Sequence, residues 1–234
     1  MHGLKPAFRS FSAFANYARS QRLGEKDSIV IFSRHCTSRF NQERRIQSWA
    51  HTNDDVLTPK GHGESKCIAG PAGRLPVKAF MSSDSIRAVQ SIMPSAHGHE
   101  VHLFPFLRSF DFGSLGGLTY GFSGNEFEDR FPSLYDVWKT DRRNFVAPGG
   151  EKYRSFAERL ETGFFGRVLE NSSGGISFVM THKACIKHLL FCTMFPAADL
   201  SSAVIDIASL SAVGFAGNEP AELLLFNNAE HLNR

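Results

Sequence analysis

The sequence predicts an α/β fold in which helices cover a layered, mostly parallel sheet. Short apolar runs rich in β-branched residues recur along the chain, and stretches with apolar residues at helical spacing lie between them. The 234 residues, 42% of them hydrophobic and 21% charged, are enough for one domain. Strands that alternate with helices along a chain form a sheet whose faces the helices cover, so we expect this class of fold.

The first element is a basic segment at the N-terminus. Up to residue 24 it has no acidic residue, and serines and aromatic residues separate its cationic side chains. These cationic residues are Lys5, Arg9, Arg19 and Arg22. The composition is typical of an amphipathic transit peptide and also of a basic helix that lies on a domain. We expect the helix, and we divide the chain into an N-terminal basic extension over residues 1–26 and one domain over residues 27–234.

Four strands and two long helices are predicted within that domain. The strands are apolar segments at residues 28–32, 77–81, 176–180 and 222–226. One helix is expected over residues 151–170, where apolar residues recur at every fourth position. A second helix, apolar on most sides, is expected over residues 184–194, before Pro196. Residues 112–150 are rich in Gly, Pro, Asp and aromatic residues, so we expect an irregular excursion over the sheet.

Charge, hydropathy and cysteine usage exclude several functions. The formal net charge of +3 is far below that of a typical nucleic-acid-binding protein. No apolar run approaches the roughly 18 residues of a membrane helix, so we expect neither a nucleic-acid nor a membrane partner. The four cysteines match no disulfide or zinc pattern, which favours reduced thiols in the cytoplasm, with no metal and no cofactor. An organellar location is the alternative if the basic segment is a transit peptide, and monomer and homodimer are both open.

Two arginines and two histidines come just after predicted strands. Arg34 and His35 follow the first strand, Arg87 comes shortly after the second, and His182 follows the third. Because the carboxyl ends of parallel strands meet at one edge of a sheet, we expect these four side chains to converge. Arginine offers a planar fork that matches two phosphate oxygens, and a neutral imidazole can attack phosphorus. The sequence therefore predicts a site for phosphate chemistry at this edge.

The order of short motifs along the chain resembles the histidine phosphatase superfamily, which has a phosphoglycerate-mutase-like fold. That family shows R-H-G-[ET]-x-x-x-N, G-R-x-Q-G, L-T-x-x-G, S-S-x-x-x-R-[AT], L-x-E-x-x-x-G, P-G-G-E and T-H-G, and it closes with N-x-x-x-H-L. The corresponding segments here are residues 34–41, 44–48, 57–61, 82–88, 107–113, 148–151, 181–183 and 227–232. Each motif is weak alone, but their order and spacing extend from residue 28 to residue 232.

The resemblance implies a three-layer fold with a mostly parallel central sheet flanked by helices, and it implies a role for each matched residue. His35 would be the nucleophile that forms a phosphohistidine. The residues that would hold the phosphoryl oxygens and stabilise the transition state are Arg34, Arg87 and His182. Asn41 and Arg45 would lie at the rim of the pocket and contact phosphate or substrate, or else serve as a loop cap and a surface cation.

Three departures from the family pattern matter for the chemistry. Cys36 and Lys183 replace the glycines that follow the two histidines, and Ser109 replaces the glutamate that is the usual general acid. We expect Ser109 and Lys183 at the substrate, but a serine hydroxyl is too weak an acid to protonate a leaving group. Either Asp111 supplies the proton, or a carboxylate in or beside the excursion does. Those carboxylates are Glu126, Glu128 and Glu151. Otherwise the substrate has a leaving group that is stable as an anion, as in an acyl phosphate, an anhydride or an aryl phosphate.

The function expected from the resemblance is a metal-independent phosphohydrolase of the phosphatase branch that acts on a small phosphorylated metabolite. A phosphoglycerate mutase is disfavoured, because mutases carry E-R-H-Y-G where this chain has residues 109–113. Two alternatives stay open. One is a degenerate phosphatase-like protein that binds a phosphorylated ligand or partner without turnover, and the other is a specialised phosphoryl transferase.

Overall fold

The computed structural model describes residues 5–121, 124–196 and 203–233. The strands within these residues are β1 (Ser28–Arg34), β2 (Val77–Ser82), β3 (Val101–Leu103), β4 (Gly175–Thr181), β5 (Leu210–Ala216) and β6 (Glu219–Asn228). The helices are α1 (Phe11–Ser20), α2 (Arg39–Glu43), α3 (Pro59–Ala72), α4 (Ile86–Ala96), α5 (Glu126–Arg130), α6 (Pro132–Thr140), α7 (Tyr153–Gly163), α8 (Leu169–Ser172) and α9 (Lys183–His188). A π-helical segment, Phe164–Val168, joins α7 to α8, and another, Leu189–Met194, continues α9.

The strands form one sheet with the order β3-β2-β4-β1-β5-β6. Pairing is parallel from β3 to β1, and β5 runs antiparallel to both of its neighbours. Arg34 of β1 stands opposite Thr181 of β4, so the residues that follow them, His35 and His182, leave the sheet side by side. The prediction of a mostly parallel α/β sheet is confirmed, and the register brings the predicted strand ends to one edge.

The core has two halves, one on each face of the sheet. Side chains of β1 alternate between them: Val30 and Phe32 pack with apolar residues of α7 and α9, whereas Ile29 and Ile31 pack with those of α1, α3 and α4. Because both halves are buried, the centre of β1, residues 29–32, is continuously apolar rather than alternating with polar residues. Helices therefore lie on both sides of a central sheet, which confirms the three-layer architecture.

The predicted strands and helices are present, and each strand is longer than its predicted range. Two further strands, β3 and β5, were not predicted. The excursion over residues 112–150 is not irregular throughout, because it contains α5 and α6. The helix expected from residue 151 begins at Tyr153, because the backbone of Lys152 is extended and forms a β-bridge with Val146.

The helix predicted in the basic N-terminal segment forms as α1. The Ser10 hydroxyl caps it by accepting a hydrogen bond from the amide of Ala13. Its apolar side is buried in the same half-core as Ile29 and Ile31, and Phe14 is fully buried there. Helix α1 therefore shares one core with the sheet and is not an appendage on the surface. Among the described helices, none combines the length and the apolar character needed to cross a bilayer.

Candidate active site

The histidines and arginines predicted to converge lie together at the carboxyl edge of the sheet. His35 follows β1, His182 follows β4, and Arg87 lies in the first turn of α4, which follows β2. The ring centroids of His35 and His182 are 5.1 Å apart, and Nη2 of Arg87 is 3.4 Å from Nδ1 of His182. These three side chains are buried, and Arg34, at the end of β1, is partly buried beside them.

His35 is held as a neutral ring with one nitrogen free of backbone contacts. Its Nδ1 lies 2.9 Å from the carbonyl oxygen of Cys36, and because a carbonyl only accepts, Nδ1 carries the hydrogen. Burial lowers the pKa of His35 well below its ordinary value, and the charges of Arg87 and Arg34 lower it further. The neutral ring therefore has its lone pair on Nε2, which is the form that a nucleophilic imidazole needs.

The two arginines carry buried N–H groups that lack hydrogen-bond partners among the described residues. These are Nε of Arg34 and both Nε and Nη1 of Arg87. The Nη1 group of Arg34 donates to the carbonyl of Ile205 at 2.7 Å, which fixes the guanidinium at the end of β1. Buried donors in folded proteins are nearly always paired, so unpaired donors beside two histidines indicate a site for an anion with several acceptor oxygens.

His182 is oriented by Ser83 as well as by Arg87. An arginine only donates, so Nδ1 of His182 accepts from Arg87 and Nε2 carries the hydrogen, which it donates to the Ser83 hydroxyl at 3.0 Å. The Ser83 hydroxyl in turn donates to Ser85. Burial lowers the pKa of His182 well below its ordinary value, and electrostatic interactions with Arg87 and His35 lower it further. The second histidine is therefore also a neutral ring with a defined hydrogen donor.

Two residues beneath this site were not singled out from the sequence. Asp55 is fully buried, and its Oδ2 lies 3.5 Å from Nη1 of Arg87, an ion pair without a hydrogen bond. Gln47 donates to Asp55 Oδ2 at 2.8 Å and also hydrogen-bonds with His35, which acts to raise the pKa of that ring. Gln47 stands in the segment that matches G-R-x-Q-G, which was the one signal that pointed to it.

Asn41 and Arg45, expected at the rim, hold the local backbone. The side-chain oxygen of Asn41 accepts from the amide and hydroxyl of Ser38 and forms a capping box at the start of α2. Arg45 donates to the carbonyl of Gly117 at 2.7 Å and to the carboxylate of Glu43. Their contacts with the protein are those of a loop cap and a surface cation, and contact with a substrate stays a prediction for both.

Ser109 and Asp111 lie on the segment that follows β3, but their polar contacts differ. The backbone carbonyl of Ser109 accepts from the Trp49 indole at 2.9 Å and from Arg159. Oδ1 of Asp111 accepts three hydrogen bonds, from the Ser48 hydroxyl at 2.6 Å and from the amides of Trp49 and Gly113 at 3.1 Å. The Asp111 carboxylate therefore connects two loop segments, a structural role that the sequence did not indicate.

The other carboxylates considered as proton donors are also engaged elsewhere. Glu151 pairs with Arg159 and accepts from the amide of Asp111. Glu126 accepts from the amide and hydroxyl of Thr119, and Glu128 accepts from the side chain of Asn125. Both of these glutamates are exposed. The charged groups that shift the pKa of His35 most are Arg87 and Arg34, both cationic.

The side chain of Cys36, which stands where the family has glycine, is buried behind the site. Its amide donates to the Ser91 hydroxyl at 2.9 Å, and burial raises the pKa of the thiol to about 12. Close packing of the same loop explains Gly61 of the L-T-x-x-G match, because a Cβ there would overlap the backbone of Thr37. The loop after His35 is therefore fixed by packing, and the Cys36 thiol is a poor nucleophile.

Lys183 begins α9 and lines an open groove beside the site. The groove has a volume of about 1010 Å³ and combines aromatic walls, among them Phe110 and Trp138, with cationic side chains. These cationic side chains are Lys139, Arg142, Arg143, Lys183 and Lys187. Burial lowers the pKa of Lys183, and the charge of Arg34 adds to this effect, so the groove adjoins the edge where the histidines lie.

Comparison with known proteins gives a family match over most of the chain. The family model of the histidine phosphatase superfamily (branch 1) matches residues 30–228. No curated protein sequence matches the chain at a significant level.

Several solved structures share the fold at low sequence identity. YhfR from Bacillus stearothermophilus is 20% identical with a TM-score of 0.77, over 87% of this chain and 98% of that one. The alpha-ribazole phosphatase from Shigella flexneri is 18% identical with a TM-score of 0.74, over 86% of this chain and 96% of that one. A mycobacterial glucosyl-3-phosphoglycerate phosphatase is 21% identical with a TM-score of 0.70, over 86% of this chain and 100% of that one.

Proposed function

The chain belongs to the histidine phosphatase superfamily, and from this premise we propose that it is a metal-independent phosphohydrolase that acts on a small phosphorylated metabolite through a phosphohistidine on His35. The observation that carries the proposal is the set of buried guanidinium N–H groups of Arg34 and Arg87 that make no hydrogen bond, beside two neutral histidines. A phosphoryl group supplies the several acceptor oxygens that these donors lack.

In the first step the lone pair on Nε2 of His35 attacks phosphorus, a P–N bond forms, and the bond to the leaving oxygen breaks. The positive charge that develops on the ring is stabilised by the hydrogen bond from Nδ1 to the Cys36 carbonyl. Arg34 and Arg87 hold the phosphoryl oxygens, and the Nε2 hydrogen of His182, shared with Ser83 in the free protein, turns to a third oxygen. Water then attacks the phosphohistidine and releases phosphate.

We further propose that the natural leaving group is stable as an anion. Ser109 stands in the position of the family's acid, and Oδ1 of Asp111 already accepts three hydrogen bonds that join two loops. Loss of a general acid typically lowers the rate by about 10² to 10⁴, but the loss is small for a leaving group that needs no proton. Acyl phosphates, phosphoanhydrides and aryl phosphates meet this requirement.

The groove beside Lys183 has room for a leaving group larger than a simple alcohol. Its cationic side chains favour a second negative charge on the substrate, and its aromatic walls favour an apolar body. The structural relatives described as phosphatases of alpha-ribazole and of glucosyl-3-phosphoglycerate are consistent with a small phosphorylated substrate. The free thiols of all four cysteines support the cytoplasm as the compartment.

The test is phosphate release from an aryl and an alkyl phosphate, with a metal chelator present, by the parent protein and by His35→Ala and Asp111→Asn. We expect turnover that survives the chelator, is lost in His35→Ala, and is faster for the aryl substrate by about 10² or more. Asp111→Asn should lower stability but leave the aryl-to-alkyl ratio unchanged. A phosphorylated His35, trapped by rapid quenching and located by peptide mass spectrometry, would identify the intermediate directly.

Two results would contradict the proposal. Turnover that persists in His35→Ala would remove the phosphohistidine, and an alkyl rate that falls selectively in Asp111→Asn would make Asp111 the acid. If the parent releases no phosphate from either substrate but binds vanadate or phosphate, the reading as a binding protein is favoured. Transfer to an acceptor other than water would instead favour a phosphoryl transferase.

A further inference from the structure

A second group of linked polar side chains, separate from the two histidines of the active site, borders the groove. Tyr153 and Glu161 project from α7, His188 ends α9, and Cys192 lies on the π-helical segment that follows. Nε2 of His188 is 2.8 Å from Oε1 of Glu161, and Nδ1 is 2.8 Å from the hydroxyl of Tyr153. That hydroxyl is 3.5 Å from Sγ of Cys192, so it links the sulfur to the ring of His188. None of these residues has a part in the proposed phosphoryl transfer.

The geometry defines where each hydrogen lies. The Glu161 carboxylate accepts, so Nε2 of His188 carries a hydrogen, and the hydroxyl of Thr193 donates to the same carboxylate oxygen at 2.8 Å. When Cys192 loses its proton, the Tyr153 hydroxyl takes it and passes its own hydrogen to Nδ1 of His188, and the doubly protonated ring is paired with Glu161. The Tyr153 hydroxyl then donates to the thiolate. A thiol beside a histidine whose second nitrogen is held by a carboxylate is the arrangement that activates nucleophilic sulfur.

The thiol differs from the buried cysteines in exposure and in ionisation. The hydrogen bond from His188 lowers the pKa of Cys192 to about 7, and Tyr153 and Arg143 act in the same direction against burial. Burial acts to lower the pKa of His188, but its hydrogen bonds with Cys192 and Glu161 prevail and raise it. Cys192 is exposed, whereas burial raises the pKa of both Cys36 and Cys185. About half of Cys192 is therefore thiolate at neutral pH and open to solvent.

The surroundings of the sulfur select the charge of what reaches it. Cys192 lines the same groove as Arg142, Arg143, Lys183 and Lys187. Among the described residues that line the groove, Asp141 is the one carboxylate, and the cationic side chains outnumber it, so their field favours anionic molecules. A neutral or cationic reagent gains nothing from these side chains.

We propose that Cys192 is a modification site, an activated thiol that exchanges with anionic low-molecular-weight disulfides of the glutathione disulfide class. The thiolate attacks one sulfur of the disulfide, a bond forms between Cys192 and that sulfur, and the original S–S bond breaks. The second sulfur leaves as a thiolate and takes a proton from solvent or from His188. The disulfide is itself the oxidant, so no other reactant is required.

The first experiment measures the alkylation rate of each cysteine by iodoacetamide as a function of pH, with peptide mass spectrometry on the whole chain. The charged and titratable groups that face the sulfur are Tyr153 and Glu161 from α7, Lys187 and His188 from α9, and Arg142 and Arg143 after α6. We expect a midpoint near 7 for Cys192, and half-buried Cys67 serves as the internal control.

Variants separate activation from exposure alone. In His188→Asn the midpoint should rise by at least one pH unit, toward the ordinary thiol value of about 8.5, and in Glu161→Gln it should rise by less. Glu161→Gln keeps the shape of the side chain, so it remains informative if His188→Asn does not fold. A parent midpoint near 8.5, or a midpoint that neither variant moves, would overturn the proposal.

The second experiment tests the class of reagent. Mixed-disulfide formation at Cys192 is measured with anionic glutathione disulfide and with cationic cystamine. We expect the anionic reagent to react several-fold faster, and the preference should shrink in Arg143→Gln and at high salt, where the groove's field is weaker. Equal rates for the two disulfides, or modification of Cys67 ahead of Cys192, would contradict the assignment. The alkylation rate and the mixed-disulfide yield do not depend on phosphate release, so their failure can be distinguished from failure of the proposed hydrolase activity.

Discussion

Asp55 supplies the counter-charge for a guanidinium that is buried before any substrate arrives. Burial lowers the pKa of Arg87 to about 10, and Asp55 is the largest influence that opposes this. The carboxylate also accepts hydrogen bonds from the Ser38 hydroxyl and the Phe40 amide, so it is fixed in place. Asp55 therefore acts through Arg87 as a positioning residue.

Replacing Asp55 with asparagine should destabilise the fold strongly. The charge of Arg87 would be left buried without an opposite charge, which typically costs about 3–5 kcal/mol in the free energy of unfolding. Asp84→Asn is the matched control, because the Asp84–Arg108 pair is partly exposed and its loss should cost about 1 kcal/mol. Denaturant unfolding measures both values. Added phosphate should restore part of the loss in Asp55→Asn, and equal costs for the two variants would contradict this role.

The residues that sequence alone predicted are those whose position follows from a strand end. Arg34, His35 and His182 come directly after apolar runs, so the sheet edge could be expected to collect them. Asp55 lies between α2 and α3 in a segment without regular periodicity, and its burial depends on contacts with residues distant in sequence. The engagement of Asp111 has the same cause, because its partner Ser48 is 63 positions away.

Helix α7, which covers one face of the sheet, packs closely against Phe106 because it ends with a glycine. Gly163 ends α7, and a Cβ at that position would overlap the ring of Phe106. Gly166, three residues later in the π-helical segment, has no atom within 4 Å of the position its Cβ would take. The same residue type therefore serves close packing at one position and has no packing reason at the other.

Substituting alanine at these two glycines should change stability in opposite directions. Gly163→Ala forces Phe106 to move, and overpacking of this kind costs about 1–3 kcal/mol. Gly166→Ala adds no contact and removes the conformational freedom of glycine in a helix, so it should stabilise by about 0.5–1 kcal/mol. Thermal unfolding of the two variants beside the parent is the measurement. A Gly163→Ala protein as stable as the parent would show that Phe106 yields without cost.

Strands with long apolar segments could be predicted from the sequence, whereas short or interrupted strands could not. The four predicted strands are the core or long strands of the sheet, where β-branched and aromatic residues dominate. Strand β3 has three residues and lies at an edge, and β5 contains Ser211 and Gly214, which interrupt its apolar pattern. Such strands form because a neighbouring strand offers hydrogen bonds, and sequence periodicity carries little of that information.

The N-terminal segment closes one edge of the whole sheet. The amides of Ala7 and Phe8 donate to the carbonyls of Leu223 and Leu224 on the edge strand β6, at 3.0 and 2.9 Å. Further contacts join Phe11 to Glu230 and Arg9 to Asn228. An exposed edge strand invites pairing with another chain, so this segment protects the molecule from self-association.

A variant that begins at residue 22 should be less stable and should self-associate. It would lose α1 from the half-core and expose the outer edge of β6, so we expect a lower unfolding temperature and larger species in size-exclusion chromatography. Phe14→Ala isolates the packing part, with an expected cost of about 3–5 kcal/mol. Exposed Ser12→Ala is its control and should lie within about 0.5 kcal/mol of the parent. A truncated protein that stays monomeric with the parent's unfolding temperature would contradict the role of the segment.

The strand that precedes His35, β1, is synthesised long before the strands that pair with it. Both strands that pair with β1 come late in the chain: β4 begins at Gly175 and β5 at Leu210. During synthesis at about 5–20 residues per second, β1 therefore leaves the ribosome on the order of 10 s before its first partner strand exists. In that interval the apolar centre of β1, residues 29–32, is exposed, and His35 and His182 are not yet side by side. A nascent chain of this protein would therefore need chaperones to cover this strand early in synthesis. Its active site would assemble only when most of the polypeptide had been made.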